Sequence, residues 1–358
     1  MSFWNVYVGG LTRDVWSYFP RPDPDTTIPS EGIEHFRFDD STGSLRHVGT
    51  TTGDLFSPQY LALHPSLPVL YAAEFARPGR LVSFSIHPDG RLERQSTIDS
   101  LGALAIAVDI HSKGEYAYIG HFGDGALTVC PLDADGAVLG AAHVIPGSTL
   151  EPGSILHQVR VTPKGDNLVV TDFGLDEVVT YALEPSGMVS PEIIARVKFP
   201  TGSSPRHIEF HPSGSIVYVV CEGDPRIYVL EAQDYAPHRI VNSHSAVPPD
   251  YEGKSSPSEL QLHPDGRALF VGVRRADCIT AFAVDESGGA TPLYHEPSLG
   301  RSPRALKMDP RGRHLLVGNW HSNEIAVFGV GDDRRLRALG EPVRVHSPSS
   351  IVFVPAYP

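Results

Sequence analysis

Ionisable side chains stand at regular distances before and after a series of Pro-x-Gly turns. Arg206 and Glu222 lie about equally far from the turn at 212–214. Because strands joined by a hairpin run antiparallel, two such residues meet at the end away from the turn. The same construction selects His157 with Asp172, Glu259 with Arg274, Arg304 with Asn319, Tyr60 with Glu74, and His121 alone. We therefore expect acids, bases and cations to cluster at one end of the hairpins.

These residue types suit proton transfer and anion binding. A carboxylate such as Glu222 or an imidazole such as His157 transfers protons efficiently when its pKa is near neutral. Guanidinium groups such as those of Arg206 and Arg274 hold carbonyl oxygens or carboxylates through forked hydrogen bonds. We assign these four residues to catalysis, and assign substrate binding to Tyr60, Glu74, His121, Asp172, His207, Glu259, Arg304 and Asn319.

The same residues also admit structural interpretations. Arg206 and Glu222 could form an ion pair within one hairpin, and Arg274 could do so with Glu259. His157 could be a hydrogen-bonded structural histidine. A further set of histidines precedes the turn prolines and is predicted to cap the hairpins at the opposite end, namely His64, His211 and His263.

One sequence unit recurs along the chain. Alternating apolar residues lead to a turn anchored at Pro65, Ser112, Pro163, Pro212, Pro264, Pro310 and Pro355. Two further β-rich runs usually follow each turn, and no stretch has the pattern of a long amphipathic helix. Seven copies spaced by roughly 45–50 residues are typical of the four-stranded blades of a propeller. The sequence therefore predicts an all-β, seven-bladed β-propeller that spans 1–358 as a single domain.

The two ends of the chain complement each other. The last copy of the unit has only a first strand, whereas the N-terminus begins with a second strand at 6–9. Pairing these strands completes one blade and closes the ring without an open edge.

Two long insertions, 11–31 and 238–256, are predicted to leave or enter at the end of the hairpins where the ionisable residues gather. The first contains Trp16, Tyr18 and Phe19 among prolines and acidic residues. Long aromatic loops of this kind serve as lids or as subunit contacts, or they are surface loops without a role.

The composition narrows the class of partner. The formal net charge is −13 with no run of Lys or Arg, which disfavours nucleic acid and anionic membranes. The three cysteines lie far apart, and we see neither a signal peptide nor the roughly 20 apolar residues of a spanning helix. We expect a cytoplasmic protein with a small-molecule partner, and the composition leaves open whether it is a monomer or a homodimer.

The strongest motifs resemble the lactonase family of seven-bladed propellers, which includes bacterial 6-phosphogluconolactonase and the fungal carboxy-muconate lactonizing enzyme. They are 204–207 through 211–214 to Glu222, 157–158 through 172–174, 264–266 to Arg274, and 302–304 to Asn319. The resemblance covers nearly the whole chain. It implies a site of one His, two Arg and one Glu, which match His157, Arg206, Arg274 and Glu222.

The chain departs from the family pattern around this core. It has Ile155 and Gln261 where the family usually has His, and Cys221 where the family has Asn. The proton-transfer and anchoring residues are kept while the surrounding polar residues change. The departures therefore bear on the substrate more than on the chemistry.

The resemblance implies a lactone hydrolase acting on a small sugar-acid or carboxylated lactone at the channel mouth. In the reverse direction the same groups would protonate an unsaturated diacid and close a ring, so a lactone-forming cycloisomerase is an alternative. A non-catalytic binding platform is a third interpretation, because propellers host many functions. The carboxylates of Glu74, Asp172 and Glu222 could together bind a divalent ion, but we predict no metal and no cofactor.

Overall fold

The structure is a computed structural model that describes residues 3–12, 29–141, 143–145 and 152–356. Those residues form β-strands, turns and loops. They contain no helix long and apolar enough to cross a membrane.

The strands form seven sheets, one for each blade of a propeller. From the channel outward, blade 1 contains β29 (Pro348–Pro355), β1 (Phe3–Gly10), β2 (Ile33–Asp39) and β3 (Ser44–Thr51). Blade 2 contains β4 (Pro58–Leu63), β5 (Val69–Glu74), β6 (Arg80–Ile86) and β7 (Leu92–Asp99). Blade 3 contains β8 (Ala105–Ile110), β9 (Tyr116–His121), β10 (Leu127–Pro131) and β11 (His143–Ile145). Blade 4 contains β12 (Leu156–Val161), β13 (Asn167–Asp172), β14 (Glu177–Leu183) and β15 (Val189–Lys198).

The remaining three blades have the same order. Blade 5 contains β16 (Pro205–Phe210), β17 (Ile216–Cys221), β18 (Arg226–Gln233) and β19 (Ala236–Ser245). Blade 6 contains β20 (Ser256–Leu262), β21 (Ala268–Arg274), β22 (Cys278–Val284) and β23 (Ala290–Pro297). Blade 7 contains β24 (Pro303–Met308), β25 (His314–Asn319) and β26 (Glu324–Val330), with an outer edge split into β27 (Leu336–Ala338) and β28 (Val343–Arg344).

The ring closes as the sequence predicts. Strand β1 pairs antiparallel with β29 from Trp4–Pro355 to Gly10–Pro348. The innermost strands of neighbouring blades lie against one another around the axis. The seven-bladed, four-stranded all-β prediction is confirmed.

Two hydrogen-bonded contacts between neighbouring blades recur around the ring. A tyrosine on the second strand of a blade donates to a glycine carbonyl in the outer turn of the next blade, at 2.6–2.8 Å. The pairs are Tyr7–Gly90, Tyr71–Gly136, Tyr118–Gly187 and Tyr218–Gly288. These glycines have φ of +81° to +89°, a region in which a Cβ is disfavoured.

Histidines before the turns make the second contact. His64 Nδ1 accepts the backbone N–H groups of its own turn, and its Nε2 lies 3.1 Å from the carbonyl oxygen of Gly114 in the next blade. His263 lies in the same way 2.9 Å from the Gly312 carbonyl oxygen. The predicted capping role of these histidines is confirmed, and each also binds the neighbouring blade.

The two predicted insertions are 11–31 and 238–256. Residues 13–28 of the first, with Trp16, Tyr18 and Phe19, lie outside the described residues. The prediction for the second, 238–256, was wrong in extent. Residues up to Ser245 belong to strand β19, because this outer strand continues its ladder with β18, and the connection to β20 runs only from 246 to 255.

We predict that Tyr218→Phe lowers the free energy of unfolding by about 1–2 kcal/mol, because the buried Gly288 carbonyl loses its donor. Urea denaturation followed by tryptophan fluorescence measures the change. The control is Tyr251→Phe, whose hydroxyl bonds the Lys254 carbonyl in an exposed loop. Equal losses in the two variants would contradict a stabilising contact between blades.

Candidate active site at the upper mouth of the channel

A repeated irregularity aims side chains at one end of the channel. In six blades the inner strand carries one extra residue near its beginning, where its pairing with the second strand shifts. Such β-bulges re-aim a side chain relative to a regular strand. The extra residues include His157, Arg206 and Arg304. We call this end of the channel the upper mouth, and the end with the Pro-x-Gly turns the lower mouth.

Glu222 lies between two arginines from neighbouring blades. Its Oε2 is 3.2 Å from Arg206 Nε and 2.6 Å from Arg274 Nη2. Arg206 also donates to the Ser258 carbonyl, and Arg274 Nε donates to the Ser256 carbonyl at 3.0 Å. The ion pair predicted within blade 5 exists, but Glu222 also binds blade 6, so the three charges form one cluster.

Arg304 adds a third, half-buried guanidinium to this cluster. It lies over the indole ring of Trp320, 4.9 Å from the ring centroid. Burial, and then the charges of Arg206 and Arg274, lower the pKa of Arg304 well below its usual value. The mouth therefore carries more positive charge than Glu222 compensates.

The pKa values in the cluster reflect this imbalance. Burial, followed by the charge of Arg274, lowers the pKa of Arg206 to about 10. Burial by itself raises the pKa of Glu222, but Arg274 and Arg206 outweigh it and lower the value to about 2. Glu222 is thus an ionised carboxylate held by two arginines, and a weak base.

His157 lies beside the cluster among aromatic rings. Its ring centroid is 6.0 Å from Phe122, 5.9 Å from Phe173 and 5.1 Å from His207. Its buried Nδ1 has no hydrogen-bond partner among the residues that the structure describes. Burial, and then the charge of Arg206, lower its pKa well below 6.5, so the imidazole is neutral and able to accept a proton.

A polar layer closes the site from below. His207 Nδ1 lies 2.6 Å from Glu259 Oε1 on the next blade. Burial lowers the pKa of His207 to about 4 against the opposing effect of Glu259. Across the channel, Gln158 Nε2 donates to the Tyr60 hydroxyl at 3.1 Å. We call these four residues the floor of the site; Tyr60, His207 and Glu259 are among the residues predicted to bind substrate.

Sequence reasoning missed an aromatic side of the mouth. The residue directly after the second strand is Phe75, Phe122 or Phe173 in blades 2–4, whereas Glu222 holds this position in blade 5. The centroids of Phe75 and Phe122 are 6.3 Å apart, and those of Phe122 and Phe173 are 5.7 Å apart. The repeated Phe one residue beyond each strand was the available signal. The mouth is therefore aromatic over blades 2–4 and charged over blades 5–7.

Glu74 and Asp172 do not join the cluster. Glu74 is fully buried, and it accepts hydrogen bonds from the Phe56 N–H at 2.9 Å and from Arg80 Nε at 2.5 Å. Asp172 accepts a hydrogen bond from the Ser154 hydroxyl at 2.5 Å and further hydrogen bonds from several backbone N–H groups. Both carboxylates hold the loops that lead into and out of the inner strands.

His121 and Asn319 are likewise structural in their contacts. His121 Nδ1 lies 2.9 Å from the Ala126 carbonyl, and its Nε2 lies 2.8 Å from the Ser100 hydroxyl. Asn319 Nδ2 donates to the Ser298 carbonyl at 2.8 Å. Each stands at the last position of a second strand, one residue before Phe122 or Trp320.

Two of the three carboxylates considered as metal ligands, those of Glu74 and Asp172, accept hydrogen bonds from loops in different blades. Within the described ranges, no group of three His, Cys, Asp or Glu side chains is arranged to hold a metal ion.

Comparison with known proteins identifies the family. A family model described as "Lactonase, 7-bladed beta-propeller" matches residues 5–353. The chain belongs to this lactonase family. The 6-phosphogluconolactonase of Bacillus subtilis is 27% identical over 337 residues, which cover 91% of this chain and 95% of that protein. An uncharacterized protein of Staphylococcus epidermidis is 29% identical over 291 residues, 78% of this chain and 82% of that one.

Solved structures agree with this assignment to the lactonase family. The periplasmic gluconolactonase of Pseudomonas aeruginosa superposes with a TM-score of 0.85 at 27% identity, covering 99% of this chain and 100% of that one. The predicted family and fold are thus confirmed. These relatives also support the predicted reaction class, lactone hydrolysis.

We predict that inorganic phosphate raises the thermal midpoint of the protein and that Arg304→Met removes most of this effect, because the cluster binds anions only in the folded state. At about ten times the dissociation constant, the stabilisation is about 1.4 kcal/mol. Differential scanning fluorimetry with increasing phosphate measures it. Arg267→Met, an exposed arginine in the turn between β20 and β21, is the control. An equal rise in Arg304→Met would contradict anion binding at this cluster.

Proposed function

We propose that this lactonase hydrolyses a small lactone that carries a carboxylate or a phosphate, bound at the upper mouth of the channel. The proposal is supported mainly by the charge balance there. Three guanidinium groups gather there, with Arg206 buried and Arg274 and Arg304 half-buried, and among the described residues Glu222 forms ion pairs with Arg206 and Arg274. Buried charge is costly unless it is paired, and an anionic substrate supplies the missing partner.

In the proposed mechanism the arginines stabilise negative charge on the substrate. One guanidinium binds the anionic group of the substrate, and another stabilises the oxyanion that forms on the lactone carbonyl. Glu222 fixes the planes of Arg206 and Arg274 through its two ion pairs. Its low pKa supports this orienting role over the role of general base.

His157 is the general base in the proposed mechanism. Its neutral ring can take a proton from the attacking water and return it to the alkoxide that leaves when the lactone C–O bond breaks. Anion binding also favours this role. The positive charge of Arg206 lowers the pKa of His157, so a bound anion, which offsets that charge, raises it toward neutrality.

The aromatic side of the mouth supports a ring-shaped substrate. Phe122 and Phe173 flank His157. Apolar rings exclude bulk water and pack against the C–H face of a lactone ring, while the anionic group points to the arginines. Phosphorylated sugar lactones, as in the name of the Bacillus subtilis relative, and carboxylated lactones both fit this description.

We expect the wild-type protein to hydrolyse anionic lactones faster than neutral ones. Arg274→Ala should lower kcat/KM on the preferred lactone by about 10²–10³, the loss typical of one oxyanion-stabilising group. A pH-indicator assay over neutral, phosphorylated and carboxylated lactones measures it, with Arg267→Ala as the control. Preference for neutral lactones would overturn the anionic substrate. No hydrolysis by folded protein, together with ring closure of an unsaturated diacid, would establish the cycloisomerase.

We also predict the pH dependence of the reaction. Because the base must be unprotonated and burial and Arg206 lower its pKa well below 6.5, kcat/KM should stay level through neutral pH and fall only in acid. Arg304 contributes to this lowering, so Arg304→Met should move the acid limb to higher pH. Initial rates between about pH 4 and 8 measure the limb. An unmoved limb would contradict His157 as the base.

A further inference from the structure

The channel continues below the floor of the site as two connected cavities. The lower cavity has a volume of about 330 Å³ at the lower mouth, and Ala62, Asp109 and Lys307 contribute to its wall. A smaller cavity of about 50 Å³ lies above it and reaches Glu259 in the floor. Both cavities share Arg160 and Lys307 as lining residues, so they adjoin. The smaller one has room for at least one water molecule.

The walls of these cavities are polar where the cavities meet. Arg160 Nε lies 3.9 Å from Asp109 Oδ2, and Arg160 Nη1 lies 3.9 Å from Glu209 Oε1. Gln261 Nε2 donates to Glu209 Oε1 at 3.2 Å. A separation of 3.9 Å is too long for a direct hydrogen bond, and water in a polar cavity can bridge such groups from the side.

The polar wall continues into the site through His207. Its Nδ1 contacts Glu259 from above, and Glu259 lines the smaller cavity from the other side. No hydrogen-bond partner of His207 Nε2 is found in the part of the chain that the structure describes. The ring of His207 packs 5.1 Å from that of His157. His157, His207, Glu259 and the two polar cavities thus lie in succession from the site to the lower mouth.

We propose that the lower half of the channel is a proton exit, through which His207 and Glu259 pass the proton released by lactone opening to solvent on the face opposite the substrate. This inference rests on the proposed hydrolysis. His207 and Glu259 lie between the site and the smaller cavity. The substrate, seated on the upper side, leaves the lower side open.

The proposed exit would carry away the proton that the reaction releases. The water oxygen bonds to the carbonyl carbon, the ring C–O bond breaks, and one water proton goes to the alkoxide. The carboxylic acid so formed loses its own proton at neutral pH, so one proton is released per turnover. His207 Nε2 accepts that proton while the Nδ1 proton moves to Glu259, and water in the smaller cavity carries it onward.

Several charged and polar groups surround Glu259. The groups that face it from the packed strands are Tyr60 on β4, Arg160 on β12, Arg206, His207 and Glu209 on β16, and Arg304 on β24. Burial raises the pKa of both Asp109 and Glu209 against the effect of Arg160. Carboxyl groups with raised pKa values exchange protons more readily near neutral pH. In this proposal His207 and Glu259 carry the released proton and do not bind the substrate anion.

The test blocks the proposed proton exit at the lower mouth. Ala62→Phe places an apolar ring in the lower cavity, 
and should lower kcat by at least about tenfold, compared with the hundredfold or more that a positioned proton carrier contributes. KM should stay unchanged, because the upper mouth is untouched. High concentrations of imidazole buffer should restore kcat by accepting the proton at the upper mouth. The matched control is Ala134→Phe, an exposed alanine at the lower face outside the channel.

The outcomes separate this inference from the proposed function. If the wild type hydrolyses no lactone, the proposed function fails before the plug is tested. If the wild type is active and Ala62→Phe keeps its kcat, or loses it without recovery in imidazole, the proton exit is overturned. Should Ala62→Phe not fold, Asp109→Asn removes the carboxyl group from the same cavity. It should show a smaller loss with the same rescue by imidazole, and an unrescued loss would count against the exit.

Discussion

The pairing of β1 with β29 is the constraint on which the rest of the molecule depends. An open chain of seven sheets would leave an exposed edge on the first and last blades. Once the two ends share one blade, the inner strands must face a common axis. Asp40 in blade 1, which lies 2.9 Å from both Arg311 and Arg313 of blade 7, strengthens the same closure from below. Residues far apart in sequence meet at the mouth because of this closure.

The site arises from local departures from a regular sheet within that closed ring. The bulge at the start of an inner strand turns His157, Arg206 or Arg304 toward the mouth, where a regular strand would direct the side chain elsewhere. The repeats differ in what they place there, so one half of the mouth is aromatic and the other half is charged. A pseudo-symmetric scaffold thereby presents an asymmetric mouth.

The charged half of the mouth lowers the stability that the ring provides. Buried guanidinium groups gain little from their own packing when their charge is not fully paired. The repeated tyrosine and histidine contacts between blades supply stability elsewhere. A rigid ring can thus maintain a site whose charges are balanced only when an anion is bound, and such trade-offs between stability and function are common in enzymes.

The sequence by itself determined the repeat, the closure of the ring and the core of the site, because these depend on spacing within one blade and on residue type. Arg206 and Glu222 could be paired from the position of their turn alone. Only the tertiary structure decided that Glu74 and Asp172 hold loops, since their hydrogen-bond partners Phe56 and Ser154 lie in connections about 18 residues earlier, whose path the local pattern does not encode. The contact of His207 with Glu259, and the cavities below it, also required the fold, because their walls come from different blades whose distance around the ring no local pattern encodes.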